Sequence, residues 1–568
     1  MREIITVQVG GFANFIGSHF WNFQDELLGL ADDPYADEIF KHQQMDMDVL
    51  YRSGETPQGI LTYSPRLVSI DFQGTLGAMN SRGSLYDSSP ATKDVYTWEG
   101  NISTHTSEPQ KKNLFLQSLD DEQISNKNKG GEIDHGREYQ EKDIIECLES
   151  GVKFWTDYTK VLYHPKSLTE LSGLWMDAAD FSNYGIGKEA LHCGHQGEEI
   201  IERLRFFVEE CDHIQGFQFI VDDSGGFSAV AAEFLENIAD DYTNTPVLLY
   251  TARDPRSYKK LGQRNEKIFQ VLHDAVSFSR LSSLCQLIVP MGLPFLSTSK
   301  ACTFLSIEDE KPYHSSAVYA AALHSTSIPF RMQYLRQPAD PHDVSGAINM
   351  NDMVRMLSDN ARKNTVAILD ISMPAPSLRG KDVRQSLLSH FHPLTYEIEE
   401  DVEDLHSVEA VNIHGVIGPG GHCASVSEVK DSVDYAYDHA KSRPKFCHLS
   451  ATRTPLPIPL PFPSIFSSLI GSQGELQGGS TTSSTSRGSL DVHSIPLATR
   501  LRMSNAILPY LESRLNNLMR FGIQRGAAGS DLIRGWGLSR DELEDMGESL
   551  TRMVMNLKPG DEISDDSD

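Results

Sequence analysis

Two adjacent acids and two adjacent glycines, Asp222-Asp223-Ser224-Gly225-Gly226, stand between an apolar run, Gly216-Phe-Gln-Phe-Ile-Val221, and a helical pattern that continues to Tyr242. Strand, glycine turn, helix is how a chain builds a phosphate cradle. Glycines let successive backbone N–H groups converge, and the amino terminus of the helix favours an anion. Ser224 and Ser228 add hydroxyls. The acids complicate this chemistry: two carboxylates a few Å from a triphosphate would cost on the order of several kcal/mol at an effective dielectric of about 20. A cation such as Mg²⁺ between them would relieve that, and one of the two could hold it through water.

Other candidates carry less. His192-Cys193-Gly194-His195, with Cys211 and His213 downstream, bunches soft and imidazole ligands but has no second paired spacing, so no metal site is assigned. Gly415 to Gly421, GVIGPGG, has proline at its centre and no lysine after it, and reads as a plain turn. Neither a nucleophile elbow nor an H-E-x-x-H motif is present, and no catalytic residue is assigned.

The elements that must position the aspartate–glycine turn follow from periodicity. The chain opens with the same grammar: a strand over Ile4 to Val9, then Gly10-Gly11, then Phe12, Phe15, Ile16, Phe20, Phe23 and Leu27 in helical spacing. Further strand patterns at 66–72, 247–250 and 367–371 alternate with helices, one of which aligns Ile200, Leu204, Phe207, Val208 and Cys211. That alternation predicts an α/β fold, a mainly parallel sheet flanked by helices on both faces. Residues 118–142 are polar and charged, the pattern of a disordered surface excursion. Prolines at alternate positions in 454–463 and the Ser/Thr/Gly-rich 471–489 read as a linker over 454–499. Two helical stripes follow, through Ile507, Leu511, Leu515, Leu518 and Met519, and through Leu543, Met546, Leu550 and Met553, before an acidic end.

With 568 residues the chain has room for two or more domains. Lys+Arg 50 against Asp+Glu 79 gives a formal charge of -29, so the average field repels nucleic acid and anionic lipid and favours basic partners. Seven scattered cysteines without a C-x-x-C fit a reducing compartment. Met1 to Val9 alternates like a strand rather than a leader, and the apolar stretches near 284–296 and 455–470 are short or broken by proline, so membrane contact is expected to be peripheral only.

Three segments in order, MREIITVQVGGFANFIGSHFW, YSPRLVSIDFQGTLGAMNSRGSLY (63–86) and HIQGFQFIVDDSGGFSAVAAEFLENIADDY (213–242), resemble the first strand, the acidic loop and the phosphate-holding turn of tubulin. Gly185-Ile-Gly187 resembles its terminal-phosphate loop, and SGAINMNDMVRML (345–357) resembles the loop that reaches the next subunit's nucleotide. The resemblance implies a tubulin/FtsZ-like fold: a tubulin-like amino-terminal segment over 1–97, continuation of a Rossmann-like nucleotide-type domain over 196–330, a second α/β domain over 331–453, and carboxyl-terminal helices with an acidic tail over 500–568. About a hundred extra residues, 98–195, form a large insertion containing FWTDY (154–158) and LYHPKSLTEL (162–171). Trp155 with Tyr158, and Tyr163 with His164, serve there either as a partner surface or as core. By that insertion the chain is identified as a member of the Misato family, also called the Dml-type mitochondrial inheritance proteins. Membership implies a cytoplasmic protein, partly on the mitochondrial outer surface, needed for mitochondrial distribution, morphology, partitioning and mitochondrial DNA inheritance, with spindle roles in some members.

The resemblance also defines a pocket: Gly10, Gly11, Phe12, Asp71, Gln73, Gly185, Gly187, Ser224, Gly225, Gly226 and Ser228 fall where tubulin binds guanine nucleotide. Its walls differ. Phe227 stands in place of a threonine, Gly11 and Phe12 in place of a glutamine and a small residue, and Gln73 in place of a metal-site glutamate. At the position of the water-orienting acid stands Val354, with Asp352 the nearest carboxylate, and a valine cannot orient water. Three readings stay open: a non-catalytic factor whose glycines serve only tight turns, a GTP-binding protein or weak GTPase using Mg²⁺, and a tubulin- or spindle-associated pseudo-subunit. Expected partners are proteins of the mitochondrial surface or cytoskeleton, tubulin itself, and the cytosolic chaperonin.

Overall fold

In the computed structural model, β1 (Glu3–Val9) is buried along its whole length, as a strand covered on both faces must be. It is the centre of a six-stranded parallel sheet with β2 (Leu67–Phe72), β3 (Leu168–Leu171), β4 (Ile214–Asp222), β5 (Val247–Ala252) and β6 (Leu287–Met291), in the order β3-β2-β1-β4-β5-β6. The structure describes residues 2–41, 45–55, 61–79, 83, 110–127, 140–173, 181–192, 195–258, 264–333, 344–360, 364–378, 387–400, 402–418, 421–477 and 486–558.

Alternation along the strands divides the core. Ile4, Ile220, Leu248 and Tyr250 face α1 (Gly11–Asp32) and α8 (Pro312–Arg331). Ile5, Val7, Val9, Phe217 and Phe219 face the other layer. That layer contains α5 (Gln196–Glu209), α6 (Phe227–Asp241) and α7 (Arg264–Ser283). Every residue of α8 after its initial proline is buried, which small side chains such as Ala317, Ser315, Ser316 and Ala320 to Ala322 permit at close helix–sheet distances.

The second sheet lies across α8. It contains β7 (Val344–Ser345), β8 (Ile368–Ser372), β9 (His392–Pro393), β10 (Val408–His414), β11 (Phe446–Thr452) and β12 (Leu497–Met503), in the order β9-β8-β12-β10-β11-β7. β10 and β11 are parallel, joined through α10 (Val426–Asp438), and the remaining pairs are antiparallel. Helices α11 (Leu508–Leu518) and α12 (Arg540–Leu557) return to pack on α7. Among the described residues no helix is long and apolar enough to cross a membrane.

Two expectations are corrected. The segment expected to be disordered, 118–142, is helical where described: α2 runs Leu114–Lys127 and α3 runs Glu141–Gly151, while 128–139 lies outside the described residues. The expected linker, 454–499, instead joins two strands of one sheet and is largely core. Leu456, Phe462, Ile465, Phe466, Ile470 and Ile495 are buried, and the Tyr313 hydroxyl donates to the Pro461 carbonyl at 2.7 Å. Proline fixes an extended backbone without a donor to satisfy, so an apolar proline-rich strand suits a tight layer as well as a tether. Residues 478–485 of this stretch lie outside the described residues. Of the two readings of the insertion's aromatics, core is the one found: β3 is the edge strand of the first sheet, and Trp155, Tyr158 and Tyr163 are buried. Ser18 Oγ donates to the Trp155 carbonyl at 2.9 Å, and Asn22 Nδ2 to the Tyr158 carbonyl at 2.8 Å, so FWTDY clamps α1.

Candidate functional site

The parallel register determines what meets at the carboxyl edge of the first sheet. Val9 is opposite Ile70 on one side and Val221 on the other. The next residues, Asp71, Gly10 and Asp222, therefore stand side by side at the strand ends, where open α/β sheets hold ligands. Gly10 caps α1 with φ 109°, a conformation that disfavours a side chain, and a Cβ there would overlap the Asp222 carboxylate.

Asp222 turns inward. Its Oδ2 accepts from the Phe12 amide at 3.0 Å and its Oδ1 from the Ala13 amide at 2.7 Å. Burial, with Asp71 and Asp254 nearby, raises this carboxyl well above the usual carboxylate range, although the two amides pull against it. Both oxygens accept, which is the bonding pattern of the ionised group. Asp71 accepts from the Phe72 amide at 2.8 Å, Asn14 Nδ2 at 3.1 Å and Trp155 Nε1 at 3.1 Å, and burial raises it to about 6. Gln73 is exposed in the turn after β2. Gly11 begins α1. Phe12 is core, edge-on to Tyr319 of α8 with ring centroids 6.0 Å apart.

The second turn is sealed by the insertion. Gly225 has φ 70°, and the Gly226 amide donates to the Phe181 carbonyl at 2.8 Å. A Cβ on Gly226 would come within 2.6 Å of the Phe181 ring, and one on Gly225 within 2.6 Å of the Phe181 carbonyl oxygen. Phe72, Phe181 and Phe227 pack together, with Phe72–Phe227 centroids at 4.6 Å. Ser224 is half-buried on the turn. Ser228 points into the core, its Oγ 2.8 Å from Ser277 Oγ and donating to the Gly225 carbonyl at 3.1 Å. His273, its charging opposed by burial, donates from Nε2 to the same carbonyl at 2.9 Å. Gly185 and Gly187, expected on a loop, lie instead in the first turn of α4 (Tyr184–His192). Gly185 abuts Trp536, and a Cβ on Gly187 would overlap the Gly226 carbonyl, so close packing requires both.

Asp223 belongs to an ion network that the sequence did not show. Arg253, directly after β5, donates from Nε to Asp223 at 2.8 Å and forks onto Asp274 at 2.9 and 2.8 Å. The Tyr396 hydroxyl reaches Asp223 at 3.3 Å and receives Arg514 of α11 at 3.0 Å, and Arg514 also pairs with Glu397. The cavity among Asp223, Thr251, Arg253, Asp274, Ser277, Tyr396 and Tyr510 holds about 10 Å³. Arginine directly after a fully buried, mostly apolar strand was the available signal; its carboxylate partners lie 30 and 21 positions away.

The remaining candidates are dispersed. Val354 is buried in α9 (Met350–Asn360), and the Asp352 amide and carboxylate both bond Asn349. His195 is exposed and paired with Glu198, Cys211 Sγ donates to the Phe207 carbonyl, and Cys193 lies outside the described residues. A guanine triphosphate with Mg²⁺ does not fit the residues present: the amides at the start of α1 and at Gly226 are bonded to the chain's own acceptors, Asp223 is bonded to Arg253, and a phenylalanine ring covers Gly226.

Comparison with known proteins agrees with this architecture. Residues 2–121 match the Misato Segment II tubulin-like domain, and residues 146–332 match the Tubulin domain. Protein misato homolog 1 of Mus musculus is 28% identical over 99% of this chain and 99% of its own length. Its Homo sapiens counterpart is 30% identical over 68% of this chain and 67% of its own, and Protein DML1 of Gibberella zeae is 27% identical over 62% and 65%. Sheet order, core helix and these matches agree that the chain belongs to the Misato family of tubulin-like proteins.

Proposed function

We propose that this protein is a non-catalytic tubulin-like factor that supports mitochondrial distribution, morphology, partitioning and mitochondrial DNA inheritance from the cytoplasm and the outer surface of the organelle. It acts through protein contacts rather than guanine nucleotide turnover. The observation that carries the second half of this reading is the sealed glycine turn, where Phe181 takes the Gly226 amide and its ring occupies the space above it. A phosphate entering there would have to displace a hydrogen bond and an aromatic cluster, and Arg253 is already bonded to Asp223 and Asp274. The first half rests on family membership.

Equilibrium dialysis of the pure chain against labelled GTP, with and without Mg²⁺, tests the chemistry. We expect no saturable binding up to about 1 mM, and Mg²⁺-dependent micromolar binding with phosphate release would establish a GTPase instead. In cells depleted of the protein, Ser224→Asp, which adds a charge at the mouth of the turn, should restore mitochondrial distribution as well as the wild type does. Failure of Ser224→Asp at normal abundance would argue that an anion is bound in the cell.

A further inference from the structure

We propose that Asp222 is the resident anion of the α1 amino terminus, an intramolecular carboxylate held where a strand–glycine–helix turn otherwise receives an external one. This deepens the proposed function, since it assigns what fills the amino-terminal half of the pocket. Four observations converge on it. The Val9–Val221 register delivers Asp222 to the end of α1 from the neighbouring strand, not from the helix's own capping position. Its two oxygens take the Phe12 and Ala13 amides, two donors that the first turn of a helix leaves without intrahelical partners. Among the described residues no cationic side chain pairs with it, and the charged groups that act on it, Asp71 and Asp254, are both acids, so the helix terminus is what holds it. Finally, Gly10 lacks the side chain that would collide with the carboxylate, which gives this glycine a purpose without any bound nucleotide.

The seat has the chemistry of a small monocarboxylate, so it should accept one once the native group is removed. Asp222→Ala in the full chain opens a space of about that size. In sodium chloride the variant should melt at least about 3 °C below the wild type and lose hydrogen-exchange protection at the Phe12 and Ala13 amides. Sodium formate at the same ionic strength should restore much of both, with no comparable gain for the wild type. Formate performing no better than chloride on folded Asp222→Ala overturns the proposal. If that variant does not fold, Asp222→Asn decides: it keeps the volume but turns an N–H toward one amide, so it should melt lower and lose protection at that amide, and an unchanged melting temperature with both amides protected overturns the proposal. Saturable GTP binding by the wild type with Phe12 and Ala13 still protected would sink the proposed function and leave this inference standing, whereas failed formate rescue without GTP binding would do the reverse.

Discussion

Asp222 and Asp223 are neighbours in the chain with separate solutions to the same problem, the cost of a buried carboxylate. Asp222 is held by backbone amides, Asp223 by Arg253 and Tyr396. Arg253 is the shared partner of Asp223 and Asp274, so Arg253→Ala leaves two buried acids without compensation and should cost about 3–5 kcal/mol, read as an earlier urea midpoint. A loss below about 1 kcal/mol would show that solvent already screens the network. Acid stability has a definite sign. Burial lowers His19 and His414 to about 3, against about 6.5 in an unfolded chain. Their contribution is complete above the unfolded value and is lost as pH falls from there through 3, because the unfolded chain binds the extra protons. Asp71, raised to about 6, works the other way: its contribution is complete below about 3.9 and fades as pH rises through 6. Two larger shifts outweigh one smaller, so melting temperature should fall between pH 7 and pH 4.5, and His19→Gln should flatten that slope. A melting temperature that rises on acidification would contradict the histidine assignment.

At the scale of elements, the arm between β11 and β12 shows where local pattern and tertiary role part. Alternating proline reads as a tether in isolation, yet Phe462 packs on Phe23 and His19 of α1 and stacks on Phe466 at 5.5 Å, while the Ser464 amide donates to Glu149 of α3 at 2.6 Å. Phe462→Ala with Phe466→Ala should therefore behave as core truncation, each costing about 3–5 kcal/mol, with faster subtilisin cleavage between 455 and 470. Unchanged melting and cleavage would restore the linker reading. By contrast β1, β4, α1 and α6 were legible, because a run of apolar residues ending in glycine and resuming at helical spacing carries its own geometry. Both glycine turns were located for that reason. What fills them was not: Phe181 lies 45 residues before Gly226 and its role depends on chain return, while Gly185 and Gly187 read as a loop only through their resemblance to tubulin's terminal-phosphate loop, and here they admit a helix crossing.

For the whole molecule, the question is whether the insertion is an appendage or part of the fold. The polar, charged run 118–142 within it reads by composition as a surface excursion. The contacts argue otherwise. β3 closes one edge of the first sheet, Trp155 donates to Asp71 beside Gly10, Tyr158 donates to the Phe15 carbonyl on α1 at 2.8 Å, and Phe181 seals Gly225–Gly226. Removing 98–195 would strip an edge strand, expose β2, take the Trp155 bond from Asp71, and orphan Ser18 and Asn22 in the core, each an unpaired polar group costing about 1–3 kcal/mol. Against a total stability of about 5–15 kcal/mol that sum is enough to unfold the nucleotide-type domain. The chain lacking 98–195 should therefore elute as aggregate or expanded species and lose near-ultraviolet circular dichroism. A monodisperse product with the native aromatic signal would mean the insertion merely decorates an independent frame, and that Phe181 is dispensable to the glycine turn it covers.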